Sequence, residues 1–232
     1  MFGLNPVRKA DHTDGQTLTL QGRPFYTIQG EGPFAGQPAM FIRLWGCNLR
    51  CKFCDTDFES TPDTYTVERL LAEMWAMEPN EVCKLAVITG GEPMRQNITP
   101  LVTELEADGW TVQVETAGTL WSPGLELTGA KVVCSPKTER VHPLVEKHCT
   151  HFKYIIKAGQ VDEQGYPNVN PQTGLPLFYP YRSADPTVTT YVQPMDEQNP
   201  EAWQRNTAEC ARLAMRYGFF VSLQTHKILG VE

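Results

Sequence analysis

The sequence lacks the features that would direct a protein to a membrane or to nucleic acid. Its longest apolar runs fall short of the roughly 18 residues that a membrane-spanning helix needs. Lysine and arginine number 20 against 27 aspartates and glutamates, a net charge of −7, which argues against binding driven by phosphate neutralisation. Residues 1–23 include no hydrophobic stretch typical of a secretory signal. We therefore expect a cytoplasmic protein with no membrane or nucleic-acid partner.

The length and composition are typical of one globular domain. The chain has 232 residues, 41% of them hydrophobic and 20% charged, which is enough to build a packed core. We expect an N-terminal extension at 1–23, flexible in character, and a single domain at 24–232. A proline- and glycine-rich insertion at about 159–186 interrupts that domain, and so long an irregular loop is usually functional or disordered.

Short apolar, β-branched runs recur along the chain, and helical patterns separate several of them. Because the runs are continuous rather than alternating, they predict strands covered on both faces. They lie at 39–45, 85–88, 111–114, 131–134, 152–156, 188–192 and 219–223. Helical spacing or end signals occur at 67–75, 99–109 and 199–218. The alternation predicts an α/β fold with a parallel sheet, either open or barrel-like, whose chemistry gathers at the carboxyl ends of the strands.

Seven cysteines need an explanation, and three of them are clustered. Cys47, Cys51 and Cys54 follow the predicted strand 39–45 on one short loop. Three thiolates on one loop can converge on a soft metal centre. The other four cysteines are scattered and are expected to be small buried hydrophobes; they are Cys83, Cys134, Cys149 and Cys210.

The residues of the cluster leave three interpretations open. The sequence has no second short Cys or His pair to complete a structural zinc site, so zinc would need a distant fourth ligand. Three cysteines packed in a core are a second interpretation. A cubane iron–sulfur cluster held by three thiolates is the third, and it leaves one iron open to bind something else.

The segment Gly90-Gly91-Glu92-Pro93 follows the predicted strand 85–88. Glycines at a strand end allow a ligand to approach the backbone closely, and Glu92 with nearby carbonyls could accept hydrogen bonds from an ammonium group. Alone, this segment would be an ordinary turn.

Together, the cysteine loop and this turn resemble those of radical S-adenosylmethionine enzymes. In that superfamily the open iron of a [4Fe–4S] cluster binds S-adenosylmethionine, and an electron from the cluster cleaves it to a 5′-deoxyadenosyl radical. Further segments resemble one family within it, 7-carboxy-7-deazaguanine synthase. These segments cover almost the whole chain and lie at 25–32, 41–44, 54–56, 114–118, 135–137, 193–196 and 224–227.

The resemblance implies a fold, a reaction and partners. The fold is a partial, open (β/α) TIM-like barrel of about six parallel strands. The reaction is a radical ring contraction that converts 6-carboxy-5,6,7,8-tetrahydropterin to 7-carboxy-7-deazaguanine with loss of ammonia, in the biosynthesis of queuosine and other 7-deazapurines. The cofactors are a [4Fe–4S] cluster, S-adenosylmethionine and Mg²⁺. A homodimer and an external electron donor such as flavodoxin are also implied.

The resemblance also assigns roles to residues. Cys47, Cys51 and Cys54 would bind the cluster. S-adenosylmethionine would contact Phe53, Cys54, Asp55, Gly91, Glu92, Ser135, Pro136, Lys137, Gln193, Pro194, Met195 and Asp196. The pterin would contact Ile28, Gln29, Gly30, Glu31, Arg43, Thr89, Glu115 and His226. Thr56 would bind magnesium, although Asp55 or Asp57 is the more usual type of oxygen ligand.

Two alternative functions remain. The first is an activating enzyme that generates a glycyl radical on a protein partner; it would share the cysteine loop but would not need Gln29, Arg43 or segment 224–227. The second is an iron–sulfur or zinc protein without catalysis.

Overall fold

The structure, a computed structural model, describes residues 5–54, 56–58, 60–77 and 82–231. Its strands are β1 Thr17–Leu20, β2 Phe25–Ile28, β3 Pro38–Leu44, β4 Asp63–Thr66, β5 Leu85–Gly90, β6 Thr111–Thr116, β7 Lys131–Cys134, β8 His151–Ile156, β9 Thr189–Pro194 and β10 Phe220–Val221. Its α-helices are α1 Val67–Met77, α2 Thr99–Ala107, α3 Pro143–His148, α4 Pro200–Tyr217 and α5 Thr225–Leu229.

The predicted apolar runs form the parallel part of one sheet. In the described residues the strand order is β10-β9-β8-β7-β6-β5-β3-β1-β4, and the neighbours from β3 to β10 pair in parallel. The two ends of this order do not pair with each other, so the sheet is open. The predicted partial (β/α) barrel is therefore confirmed, with six parallel strands from β3 to β9 and the two-residue β10 at one edge.

The antiparallel edge of the sheet comes from a part of the chain for which we predicted no strands. β1 and β2 both pair antiparallel with β3, and β1 also pairs with β4, with Thr17 opposite Thr66 and Leu20 opposite Asp63. Because successive side chains of a strand point to opposite faces of the sheet, Leu18 and Leu20 share the face that packs into the core, and each is at most 1% exposed. Segment 17–20 is therefore part of the sheet and differs from the flexible extension that we expected. The division of the chain at residue 23 stays a prediction.

The helices cover the sheet with apolar faces. Val67, Leu70 and Met74 of α1 are buried against it, as the helical spacing predicts. α4 begins after Asn199, whose side chain accepts a hydrogen bond from the Ala202 amide, and ends at Gly218 with φ of 75°. This is the predicted pair of start and stop signals. In the described ranges no helix is both long enough and apolar enough to cross a bilayer.

The insertion lies against the cysteine loop and the turn that follows β7. The Lys52 amide donates to the carbonyl of Pro171 at 2.8 Å, and the Gln172 side chain donates to the carbonyl of Lys137 at 2.7 Å. The Phe178 side chain is only 4% exposed. The insertion therefore forms one wall of the region around the cysteines.

Candidate active site

A cavity of about 940 Å³ opens at the carboxyl ends of the parallel strands. Each parallel strand from β3 to β9 contributes lining residues at or near its end, β7 through Ser135, which directly follows it. The structure thus brings together most of the predicted site residues. They are Gln29, Glu31, Arg43, Cys47, Cys51, Phe53, Cys54, Thr56, Thr89, Gly91, Glu115, Ser135, Lys137, Gln193, Pro194, Met195, Asp196 and His226.

Four predicted residues that the structure describes do not line this cavity. Pro136 instead lines an adjoining cavity of about 460 Å³, between the insertion, Phe53 and Met195. Asp55 lies outside the described residues. Ile28 is half-buried and does not line the cavity. Gly30 and Glu92 are buried and make contacts that are described below.

The three clustered thiols face one cavity and lie close enough together to affect each other's ionisation. Burial is the main cause that raises the pKa of Cys47 to about 12, and the charges of Glu92 and of the other two thiols add to it. Burial also raises the pKa of Cys51. Three thiolates in this position need a cation to stabilise them, and coordinated iron supplies it. The donor set therefore fits an iron–sulfur cluster.

Gly90 and Gly91 line the cavity and also pack closely against the backbone of β3 and the start of the cysteine loop. A Cβ atom on Gly91 would lie 2.0 Å from the carbonyl oxygen of Gly46, and one on Gly90 would lie 2.1 Å from that of Leu44. The Gly91 amide donates to the Leu44 carbonyl at 3.0 Å. Close approach does require these glycines, but the approaching group is the chain itself.

Glu92 does not point into the cavity. Its carboxylate is fully buried and accepts hydrogen bonds from the amides of Met94 and Ala117 and from the Thr116 hydroxyl, at 2.7–3.1 Å. Burial raises the pKa of this carboxyl to about 7. The carboxylate therefore ties the end of β5 to the end of β6, and the expected contact between Glu92 and S-adenosylmethionine stays a prediction.

A buried lysine that the sequence analysis missed joins two predicted pterin ligands. Lys153 in β8 is 4% exposed; its Nζ lies 2.9 Å from Glu115 Oε2 and also pairs with Glu31. Burial opposes the ionisation of Glu31, but Lys153 outweighs this effect and lowers the carboxyl pKa. The same two carboxylates raise the pKa of Lys153. Two carboxylates around one ammonium leave an excess of hydrogen-bond acceptors.

Four glutamine side chains hold these carboxylates; Gln29, Gln193 and Gln224 line the cavity, and Gln113 is buried beneath it. Gln29 and Gln113 donate to Glu115 Oε1 at 3.1 and 2.8 Å. Gln193 and Gln224 donate to Glu31 Oε1 at 3.0 and 2.8 Å. These bonds fix both carboxylates in place, in agreement with the rule that buried polar groups are hydrogen-bonded.

The two most specific segments of the family resemblance touch each other, although they lie at opposite ends of the chain. The Thr225 amide donates to the Gly30 carbonyl at 3.1 Å. A Cβ atom on Gly30 would lie 1.9 Å from His226 Nδ1, so no larger residue fits there. Gly30 therefore positions His226 at the cavity wall rather than lining the cavity itself.

Two half-buried cations face the cavity without a carboxylate partner among the described residues. The Arg43 guanidinium lies 5.3 Å from the Phe25 ring centroid, and Lys137 Nζ donates to the carbonyl of Ser135 at 3.0 Å. In the described part of the chain the ion pairs include neither residue. Both cations are therefore available to a bound carboxylate.

The residues after the last cysteine distinguish two of the predicted magnesium ligands. Thr56 lines the cavity, whereas Asp57 is exposed and does not line it. The geometry thus favours Thr56 over Asp57.

Comparison with known proteins agrees with the fold and the site. Residues 44–130, from the last residue of β3 to the residue before β7, match the Radical SAM superfamily. The chain is thus a radical S-adenosylmethionine protein. It is 44% identical to the 7-carboxy-7-deazaguanine synthase of Rhodospirillum rubrum, with 100% of both chains covered. It is 36% identical to that of Rickettsia prowazekii, covering 100% of this chain and 96% of the relative.

The chain belongs to the 7-carboxy-7-deazaguanine synthase family, as the sequence motifs predict. Its fold is similar to the crystal structure of QueE from Escherichia coli, with a TM-score of 0.64 and 22% identity over 90% of this chain and 96% of that one. The protein is accordingly a lyase of the radical S-adenosylmethionine type that uses a [4Fe–4S] cluster, S-adenosylmethionine and Mg²⁺. The two alternative functions are no longer needed.

Proposed function

We propose that this protein converts 6-carboxy-5,6,7,8-tetrahydropterin to 7-carboxy-7-deazaguanine with loss of ammonia, within 7-deazapurine biosynthesis. One observation carries the proposal: a single cavity joins the three-cysteine loop to two carboxylates and to two cations that no carboxylate of the described residues pairs with. The substrate has matching groups, because its pyrimidine edge offers N–H donors and its 6-substituent is a carboxylate.

The cysteine side of the cavity would hold the cofactors. Cys47, Cys51 and Cys54 would bind the cluster, which together with S-adenosylmethionine supplies the electron and the radical that removes a hydrogen atom from the substrate. The chain's own part is to orient the cofactor and exclude water. S-adenosylmethionine would lie along Phe53, Gly91, Ser135, Pro136, Lys137, Gln193, Pro194, Met195 and Asp196.

The floor of the cavity would bind the pyrimidine edge. Glu31 and Glu115 would accept hydrogen bonds from its amide and amine, since Lys153 and the glutamines hold both carboxylates in place. Gln29 and His226 would complete the edge contacts.

Arg43 would bind the substrate carboxylate. It faces Thr89 across the register of β3 and β5, so a guanidinium and a hydroxyl lie side by side at the cavity wall. Thr56 and the same carboxylate would hold magnesium, which prefers oxygen ligands and usually takes few of them from protein.

The substitution Arg43→Lys tests this arrangement. A charge-assisted bond contributes roughly 1.5–3 kcal/mol, so pterin affinity should fall about ten- to a hundredfold, because an ammonium cannot reproduce the planar two-pronged contact. S-adenosylmethionine cleavage without substrate should continue, since the cysteine loop is unchanged.

Arg23→Lys is the matched control. Arg23 lines the same cavity, but it is exposed and already paired with Glu73 at 2.8 Å. The Arg23→Lys protein should therefore bind the pterin with the affinity of the wild type. Normal pterin binding by Arg43→Lys, or loss of both activities together, would show that Arg43 is structural.

We further propose a cytoplasmic homodimer that is reduced by a donor such as flavodoxin. All seven cysteines are free thiols, as suits a reducing compartment. The insertion exposes Leu175 and Leu177 at 64% and 77%, which makes it a candidate subunit contact. A monomeric mass in light scattering at micromolar concentration would contradict the dimer.

A further inference from the structure

The N-terminal segment 5–12, here called the strap, crosses the cysteine loop and the turn after β5. Val7 forms a parallel bridge with Cys47, and the Arg8 amide donates to the Cys47 carbonyl at 2.8 Å. Further along the strap, His12 Nε2 lies 2.8 Å from the Met94 carbonyl oxygen. The proposed function gives this segment no role, although it contacts the backbone of a proposed cluster ligand.

Asn5, at the start of the strap, makes the most specific of these contacts. It is 7% exposed. Its Oδ1 accepts a hydrogen bond from the Phe58 amide at 2.8 Å, and its Nδ2 donates to the Thr56 carbonyl at 2.7 Å. Nδ2 also lies 3.5 Å from Cys54 Sγ, as a donor to the sulfur.

The two backbone bonds decide which atom of the carboxamide faces the sulfur. If the amide were flipped, Oδ1 would lie against the Thr56 carbonyl oxygen and Nδ2 against the Phe58 N–H, so both bonds would be lost. The N–H is therefore directed at Cys54 by two bonds that do not involve the sulfur. This geometry holds the donor in place whether or not the thiol is ionised.

We propose that Asn5 is a positioning residue for the iron–sulfur cluster. Its carboxamide fixes segment 54–58 and donates an N–H to the Cys54 thiolate, which raises the reduction potential of the cluster. The physical reason is that an N–H donor to a ligand sulfur stabilises the reduced, more negative cluster more than the oxidised one. The inference rests on the proposed function, because it takes Cys54 as a cluster ligand.

Two substitutions separate the hydrogen bond from the packing. Asn5→Leu keeps much of the volume and removes both the donor and the acceptor. Asn5→Asp keeps the acceptor for the Phe58 amide but replaces the donor that faces Thr56 and Cys54 with an oxygen. His12→Ala is the control, because it removes a strap contact to Met94 without touching Cys54.

The measurement is the midpoint potential of the cluster, obtained by redox titration with electron paramagnetic resonance on the anaerobically reconstituted full-length chain. Iron and sulfide are counted for each variant. We expect a shift to more negative potential in both Asn5 variants, larger for Asp because it adds negative charge, and the wild-type potential in His12→Ala.

Two results would overturn the inference: a wild-type potential in a cluster-loaded Asn5 variant, or an equal shift in His12→Ala. If both Asn5 variants fold but lose the cluster while His12→Ala retains it, this difference in iron content supports the positioning role. A wild-type chain that binds no cluster would instead contradict the proposed function, so the two failures are distinguishable.

Discussion

Lys153 offers the sharpest test of how the cavity floor is stabilised. Its ammonium is the cation that pairs with both Glu31 and Glu115, and the side chain is 4% exposed. The substitution Lys153→Met removes the charge and keeps most of the volume. Two carboxylates, only 14% and 16% exposed, then remain without their cation.

The magnitude follows from burial. Removing one partner from a buried ion pair typically costs about 3–5 kcal/mol, because the remaining charge stays desolvated. Lys157→Met is a matched control just beyond the same strand. Its pair with Glu197 is 36% and 27% exposed, and an exposed pair of this kind contributes about 0–1 kcal/mol. The two variants should therefore differ by about 2–5 kcal/mol in the free energy of unfolding.

The stability of the two proteins should also depend differently on pH. In the wild type, Glu31 stabilises the fold above its ordinary pKa of 4.5, and this contribution is lost as the pH falls toward the lowered pKa. Lys153 stabilises the fold below its ordinary pKa of 10.5, and this is lost as the pH rises through the raised pKa. In Lys153→Met the burial of Glu31 raises its carboxyl pKa without an opposing ammonium, so stability should increase as the pH falls from 7 toward 5.

Urea unfolding of the metal-free protein, followed by tryptophan fluorescence at pH 7 and pH 5, measures both effects. The double variant with Glu115→Gln should recover part of the loss, because one of the two charges is gone. If Lys153→Met unfolds with the same free energy as Lys157→Met, and shows no gain at pH 5, Lys153 does not neutralise the two carboxylates.

Two further predictions concern the cysteine loop. Replacing Cys47 or either of the two other clustered cysteines by alanine should abolish iron binding and S-adenosylmethionine cleavage. Cys149→Ala, at a buried thiol, should at most lower stability. A folded Cys149→Ala protein without a cluster would refute the ligand assignment. Gly91→Ala should lower the free energy of unfolding by roughly 1–3 kcal/mol or more, the typical cost of overpacking, because its Cβ would lie 2.0 Å from a backbone oxygen. Gly129→Ala is its control, since there the nearest atom is the end of the flexible Glu106 side chain; equal melting temperatures and iron contents in the two glycine variants would show that the loop adapts.

The parallel core was predictable because its strands are buried on both faces. Run 85–88 has no polar residue and run 131–134 has only Lys131 at its start, and the structure extends these runs by at most two residues. β1 was missed because it is four residues long and only Leu18 and Leu20 identify it. α3 and α5 have six and five residues, which is too short for a helical period to show.

The site was predictable where a motif ends a strand, and it was missed where the chemistry depends on distant partners. Lys153 did leave a local signal, because a lysine inside the apolar run 152–156 must find a partner once buried. Asn5 left none, since its partners Cys54, Thr56 and Phe58 lie 49 to 53 residues away.

The cysteine loop shows why spacing predicts the kind of metal centre but not its geometry. Within the described part of the loop the Cys54 amide donates to the Cys51 carbonyl at 3.2 Å, and other segments also hold the loop. The turn after β5 binds its start, through the Glu92 amide and the Gly46 carbonyl at 3.0 Å. The strap binds Cys47 next to it, and the insertion binds Lys52 in its middle, where Nζ donates to the Thr173 carbonyl at 2.6 Å. Three segments far apart in sequence therefore hold three thiols around one cavity. Loss of a contact that one of these segments makes with the cysteine loop should affect the cluster before it affects the floor that we propose binds the pterin.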